Sequence, residues 1–330
     1  MIVLNDVHIA ANRSAGTTPA SAANLKQFTL NSLCIFLNTA NEDVLIAGDL
    51  FDGFIVPNSD LLATYRIFDK WLERGHKLYA IRGNHDASKN SALISSFDLL
   101  GALLEGKATF ITKPMLLDGG IYCLPHALNQ DEMDLWISQV PKCTYAVIHA
   151  NYNNFFAAQS DNSLNVSEEQ AKAMPVEKLV FAHEHAPRTA LDGKVFVMGV
   201  QFPTSVSDCL SRVDLHAHRL GDTIEKLKTW DKSDYAELNW KDPQPTDVRF
   251  IRFVGTATPD EAAAVADTIA KYRRASEAFI VGNAVKIGED SEMEEFSVQS
   301  LEQARAFDVM GALKGCLTED EYKILEKLNA

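Results

Sequence analysis

The chain has no apolar run approaching the roughly 18–20 residues that span a bilayer, which argues against a membrane-spanning protein. Its start, Met-Ile-Val-Leu-Asn-Asp, has neither a basic leader nor a long apolar core, so it reads as a strand, not a signal peptide, and the cytoplasm is the expected compartment. Cysteine is sparse: Cys34, Cys123, Cys143, Cys209 and Cys316 are odd in number, widely spread and never in a Cys-x-x-Cys pair. That excludes a disulfide scaffold and a zinc ribbon, and leaves neutral thiols in a reducing compartment. Positive charge is also short, 31 Lys plus Arg against 45 Asp plus Glu, for a net −14. Such a balance argues against a histone-like coat for nucleic acid. It does not exclude a nuclease, whose site collects carboxylates to hold metal. Internal repeats are absent as well.

What is present is an ordinary soluble composition, 46% hydrophobic and 23% charged over 330 residues. That length suggests two domains, or one large and one small. The first two thirds alternate strand and helix signals: strands at Ile2–Leu4, Val44–Ala47 and Lys77–Ile81, with helices over Ala22–Leu37 and Ser59–Arg74 between them. This opening is that of an α/β domain. Shorter strands follow at Thr109–Thr112, Gly120–Leu124, Tyr145–Ile148, Leu179–Phe181 and Val195–Met198, and their density suggests a second, more antiparallel sheet. A polar stretch with prolines, Asn239–Asp247, reads as a linker. Beyond it come a strand (Arg249–Val254), a capping box at Thr258-Pro259-Asp260-Glu261 opening a helix to about Arg274, and a strand from Ala278 to Ile287. An acidic run over 289–295 reads as a solvated loop. Two helices end the chain, about Ser300–Leu313 and from a second capping box at Thr318–Glu321 onward. Packing on their own domain and docking a partner are both open to them.

Five short clusters of Asp, His and Asn each follow a strand signal: Asp6-Val7-His8, Gly48-Asp49-Leu50-Phe51-Asp52, Gly83-Asn84-His85-Asp86, His149, and His183-Glu184-His185. In an open α/β sheet the carboxyl ends of the strands converge on one crevice. Five such ends would gather Asp6, His8, Asp49, Asn84, His149, His183 and His185. Two divalent cations about 3.5–4 Å apart repel each other, and a bridging carboxylate such as Asp49 offsets part of that repulsion. Mixed oxygen and imidazole ligands suit manganese, iron or zinc, whereas magnesium prefers oxygen and water. In Asp6-x-His8 an extended backbone would put both side chains on one side, within reach of one ion. Gly48 and Gly83 would let the chain turn sharply as it leaves each strand. Each cluster alone is weak, Asn84-His85-Asp86 being the more specific, and a lone His is ordinarily a satisfied core or surface imidazole. The five in this order are not.

The ordered set resembles the calcineurin-like metallophosphoesterase superfamily over roughly residues 1–215. The resemblance implies a sandwich of two β-sheets flanked by helices. One metal would take Asp6, His8, Asp49 and His185, and the other Asp49, Asn84, His149 and His183. His85 would face the substrate phosphate and act on the leaving oxygen, with Asp86 fixing its orientation. The cofactors would be two divalent ions, Mn2+ first, with Mg2+, Fe2+ or Zn2+ as alternatives. Ala182 departs from the family pattern, which usually has Gly before His-x-His.

Within the superfamily, Ile46-Ala47-Gly48-Asp49-Leu50-Phe51-Asp52, Arg82-Gly83-Asn84-His85-Asp86 and Val200-Gln201-Phe202-Pro203-Thr204-Ser205 look like the SbcD-type nuclease subunit of the double-strand-break repair complex. That likeness implies a nuclease domain over 1–218, a small α/β capping domain over 219–296 and a helical tail over 297–330. The tail would dock an SbcC-type coiled-coil ATPase. DNA would be the substrate, no membrane would be involved, and a homodimer is left open. The Ala10–Asn24 segment does not follow the usual nuclease sequence, and Asp52 stands where some members carry His. Asp52 is therefore read as a hydrogen-bond acceptor behind the ligands, and Arg188 as a contact to substrate phosphate. The basic residues from Arg66 to Lys89, among them Arg74, Lys77 and Arg82, fit a phosphate path or a solvated helix face. His216 and His218 read as structural, and His126 carries no assigned role. A stand-alone phosphodiesterase or phosphatase for small nucleotides is the rival enzyme. A metal-free scaffold is the non-enzyme reading, but scaffolds lose ligands and here every ligand position is filled.

Overall fold

The computed structural model describes residues 1–11, 18–87, 93–154 and 163–288. The acidic run, both C-terminal helices and Lys89 lie outside the described residues. Residues Met1–Lys286 form one compact unit.

The first sheet has six strands. Its parallel part is β1 (Ile2–Leu4), β2 (Val44–Ala47), β3 (Leu78–Ile81) and β4 (Thr109–Ile111). Helices α1 (Pro19–Thr39), α2 (Asn58–Leu72) and α3 (Ser96–Leu103) make the crossovers that parallel strands require. α1 opens on a capping box at Thr18 and Ser21 with proline at its first turn, and buries Leu25, Leu30, Leu33 and Leu37 along one stripe. α2 does the same with Leu61, Thr64, Phe68 and Trp71. The sheet is covered on both faces. Ile2, Leu4, Val44 and Ile46 meet the helices, while Val3, Leu45, Ala47 and Ile81 face the second sheet. Burial on both sides is why these strands read as unbroken apolar runs.

The second sheet runs β11 (Arg188–Ala190), β12 (Val195–Val197), β10 (Val176–Ala182), β7 (Cys143–His149), β6 (Ile121–Leu124) and β5 (Met115–Leu117). Contrary to the antiparallel expectation, its four central strands are parallel. Only the edge strands β11 and β5 pair antiparallel. Two helices explain this, α4 (Gln130–Ser138) between β6 and β7 and α5 (Glu168–Ala173) between β7 and β10. Both are short enough to be overlooked beside the strand signals. A small parallel pair, β8 (Asn151–Tyr152) and β9 (Asn165–Val166), lies between β7 and α5. Met133, Ile137 and Ala171 from the helices pack on Ala146, Ile148 and Phe181. The result is a sandwich of two sheets flanked by helices.

The first sheet continues past the boundary expected at residue 218. β13 (Leu215–Leu220) pairs with β1, and β14 (Ile224–Trp230) pairs with β13, both antiparallel. The small unit then begins with β15 (Tyr235–Asn239), followed by β16 (Phe250–Val254), the short β17 (Thr256–Ala257), α6 (Ala262–Ala275) and β18 (Ile280–Asn283). β15, β16 and β18 form a parallel sheet. The capping box at Thr258 and Glu261 is made as expected. An aromatic cluster of Phe28 from α1 with Phe250 and Phe279 seats this unit on the sandwich, joined by Leu25, Trp230 and Ile280.

Candidate metal centre

The carboxyl ends of β1, β2, β3, β7 and β10 deliver the five clusters to one place. Ligand atoms of Asp6, Asp49, His149 and His183 lie within 4.8 Å of one another. Those of Asp6, His8 and His185 form a second such group, and His8, Asp49 and His85 a third. Asp49 stands between the groups, with Oδ1 3.4 Å from His149 Nε2 and Oδ2 3.9 Å from His8 Nε2. The Asn84 amide oxygen is 2.9 Å from His149 Nε2. All seven expected ligands therefore meet. The geometry also brings His85 within reach of the same centre, although the resemblance gives it no metal.

The chain does not reach this arrangement by an extended Asp-x-His segment. Asp6 (φ 49°), His8 (φ 48°), Asp49 (φ 47°) and His183 (φ 81°) all sit in the left-handed region. Each such residue costs on the order of 1–3 kcal/mol and persists only where the surroundings hold it. Here neighbouring loops do so. Asp6 N–H donates to Gly48 O (3.1 Å), His8 N–H to Asp49 O (3.0 Å) and Ile9 N–H to Leu50 O (2.9 Å). His183 N–H donates to Asp6 Oδ2 (3.0 Å) and His85 N–H to Asp49 Oδ1 (3.0 Å). Ala182 is not left-handed, so alanine is tolerated where the family usually has glycine. The two loop glycines are obligatory for space. A Cβ on Gly48 would stand 1.9 Å from His149 Nδ1, and one on Gly83 would stand 2.0 Å from Asp49 Oδ1.

Three imidazoles are fixed in the same way, through Nδ1. His149 Nδ1 meets Ala47 O at 2.9 Å, His85 Nδ1 meets Asp52 O at 2.8 Å, and His185 Nδ1 meets Asp208 Oδ1 at 2.7 Å. An oxygen that only accepts assigns the proton to Nδ1, leaving Nε2 for the crevice. Burial alone would raise the Asp49 carboxyl, but His149, His8 and His85 beside it hold it well below 3.8. Burial opposes charge on His149 too, yet Asp49 and Asp6 lift it to about 9. His185 is lifted to about 9 against burial by Asp208, whose own carboxyl its imidazolium and two backbone amides bring to about 2. Dense, mutually compensating charge of this kind marks a site built for ions.

The donor set fits divalent metal on a direct observation. Asp6 Oδ1 and His8 Nε2 are buried and make no hydrogen bond, a costly state for polar atoms unless something else satisfies them. Oxygen and imidazole donors in this mixture suit manganese, iron or zinc.

Some expected roles are redistributed. Asp86 does not orient His85. Its carboxylate accepts from the backbone N–H groups of Phe51 (3.0 Å), Leu50 (3.3 Å) and Gly83 (3.0 Å), tying the second cluster to the third. Burial and the nearby Asp49 raise it to about 6. The Asp52 main-chain oxygen orients His85 instead, while Asp52 Oδ1 lies 3.2 Å from His8 Nδ1. Arg188 is not free for a phosphate. Its guanidinium is paired with Glu184 (2.8 Å) and bonded to Tyr152 O (2.7 Å). Arg74 leaves the proposed phosphate path as well, because it caps the end of α1 through Leu37 O (2.9 Å) and Ala40 O (3.0 Å). His126 does approach the crevice, its ring 6.4 Å from that of His149, and burial pushes it down to about 3.

Asp208 and Gln201 were not anticipated. Asp208 Oδ2 is held by the N–H groups of Thr204 and Ser205, both at 2.8 Å. Gln201 bonds to Asn5, whose amide in turn donates to Asp6 and to Gly199 O. Position 201 falls in the phrase singled out by resemblance, but no local pattern pairs residue 208 with residue 185.

The class this fold and centre define is a metal-dependent phosphoesterase. A family model for the calcineurin-like phosphoesterases matches residues 1–187, more than half of the chain, and the chain belongs to that family. No match to a curated protein was found.

Proposed function

We propose that the chain is a nuclease that hydrolyses phosphodiesters in DNA, working with an SbcC-type coiled-coil ATPase and two Mn2+ ions. The metal assignment is supported by Asp6 Oδ1 and His8 Nε2, buried and unsatisfied where the Asp6–His8–His185 and Asp6–Asp49–His149–His183 groups meet. The choice of DNA rests on the small α/β unit over Tyr235–Asn283, which follows the phosphoesterase domain along the chain in the order that the resemblance gives to a nuclease and its cap. Among the described residues no helix is long and apolar enough to cross a membrane.

Asp6, His8, Asp49 and His185 would hold one ion, and Asp49, Asn84, His149 and His183 the other. When bound, the ions supply Lewis-acid charge and an activated water for attack at phosphorus. The chain's own residues do the rest. Asp49, shared by both sets, would offset the repulsion between two cations. His149 and His185 present Nε2 because Ala47 O and Asp208 hold Nδ1. His85, fixed by Asp52 O, aims Nε2 at the crevice and delivers a proton to the leaving oxygen.

The test compares linear duplex DNA with bis-p-nitrophenyl phosphate, with Mn2+, with and without a coexpressed ATPase. DNA degradation is expected. Turnover of the small ester alone would favour the rival phosphodiesterase of small nucleotides, and no turnover of either would remove the enzyme reading.

A further inference from the structure

The apolar layer between the two sheets takes in Leu220 of β13 and Ile224 of β14. One face of this hairpin buries Ala217 and Leu227 against the helical side of the first sheet. The opposite face carries His218 and, directly across the strand pair, Lys226. Between that face and the edge strands β11 and β12 lies a cavity of about 510 Å³. None of its lining residues is among the ligands of the metal centre.

Four observations mark the cavity as more than a packing gap. His218 is only 2% exposed, yet its Nδ1 has no hydrogen-bond partner. His218 lines the cavity, and a buried imidazole with an unpaired ring nitrogen is a polar group poorly satisfied by its own surroundings. Burial pushes His218 down to about 3, so at neutral pH it offers a hydrogen bond without a charge. Phe196, also lining the cavity, meets the His218 ring edge-on at 4.9 Å and supplies an apolar wall. Lys226 and Lys232 line the mouth, and neither ammonium has an ion-pair partner among the described residues. The carboxylate in the lining, Asp214, is already engaged by Lys232 N–H at 3.0 Å and by Lys228 at 3.9 Å. The site is thus cationic at its entrance, apolar along a wall and polar but neutral at depth. Its volume falls within the roughly 300–1,000 Å³ of small-molecule sites.

We propose that this cavity binds a mononucleotide-sized organic phosphate, its phosphate between Lys226 and Lys232 and its heteroaromatic ring against Phe196, sharing a hydrogen bond with His218. A bare phosphate would leave the wall and the imidazole unused, and an uncharged nucleoside would leave both ammonium groups unpaired. The inference goes beyond the hydrolase reading and does not depend on it.

The test is calorimetric titration of the full chain in EDTA, so that the metal centre retains no phosphate. Titrants are dAMP, deoxyadenosine and inorganic phosphate. One dAMP per chain is expected, with each of the other two binding at least about tenfold more weakly. The double variant Lys226→Gln/Lys232→Gln changes two exposed side chains and should keep its melting temperature while losing at least about tenfold in dAMP affinity. Asn84→Ala, at the metal centre, should leave dAMP affinity unchanged. The proposal is overturned by absent dAMP binding at millimolar concentration, by equal affinity for inorganic phosphate, by wild-type affinity in the double lysine variant, or by loss of binding in Asn84→Ala.

Discussion

The two halves of the metal centre are braced differently. His149 is fully buried at the end of β7, and its Nδ1 rests on a main-chain oxygen of β2, the neighbouring core strand. His185 is partly open to solvent, on a loop after β10, and its Nδ1 rests on the side chain of Asp208, 23 residues further on. A main-chain brace cannot be removed by substitution at the brace itself, and it comes with the sheet. A carboxylate brace adds charge, raises the imidazole's affinity for a cation, and can be tuned or lost by one mutation.

The comparison breaks most severely at Gly48. Gly48→Ala drives a methyl group onto His149 and places alanine at φ +101°. The combined strain is on the order of 3 kcal/mol. We expect a lowered melting temperature, loss of metal from the His149 side by elemental analysis and no measurable turnover; native metal content would show that the imidazole has room to move. His85 shares the main-chain style of bracing without an expected ligand role. His85→Ala should keep both metals and slow turnover by about 10²–10⁴, the usual share of one acid–base group. Loss of a metal in that variant would instead make His85 a ligand, as its proximity to His8 and Asp49 permits.

Asp208→Asn addresses the other half. With its oxygen toward His185 it removes the charge and turns its NH2 onto the Thr204 and Ser205 amides, so Mn2+ titration should show weakening by about 10–100-fold on that side. Unchanged affinity would mean that packing alone orients the ring. The smallest effect concerns metal-free protein. The pair's stabilisation is fully present between 3.8 and 6.5, fades as pH rises through the raised His185 value of about 9, and is lost as pH falls through the lowered Asp208 value of about 2. In EDTA, the melting-temperature gap between wild type and Asp208→Asn should therefore be widest near pH 5 and narrow above pH 9 to the constant part left by the lost Thr204 and Ser205 hydrogen bonds. A constant gap across that range would refute the pairing as an ionic one.

The same contrast explains what could be read from the chain. Ligands that leave a strand within a few residues, such as Asp49 after β2 or His149 at the end of β7, announce themselves because the strand is apolar and the turn is not. The parallel core was legible through α1 and α2, whose stripes are long. It was misjudged over residues 109–198, where α4 and α5 are brief and the strands dominate the pattern. The continuation of the first sheet into β14 was not legible, because Ile224, Leu227 and Trp230 recur every third residue and not in a strand's alternation. Asp208, the true partner of Asp86 and the pairing of Arg188 with Glu184 were not legible. Each depends on which loops meet in space, and short-range sequence patterns carry no record of that.

The loops bearing the ligands are laced to one another by hydrogen bonds that backbone N–H groups donate, from Asp6 to Gly48, His8 to Asp49 and His183 to the Asp6 carboxylate. The spacing of the donors is thus held by the chain's own backbone, so a change in any one loop is passed on to the ligands of its neighbours.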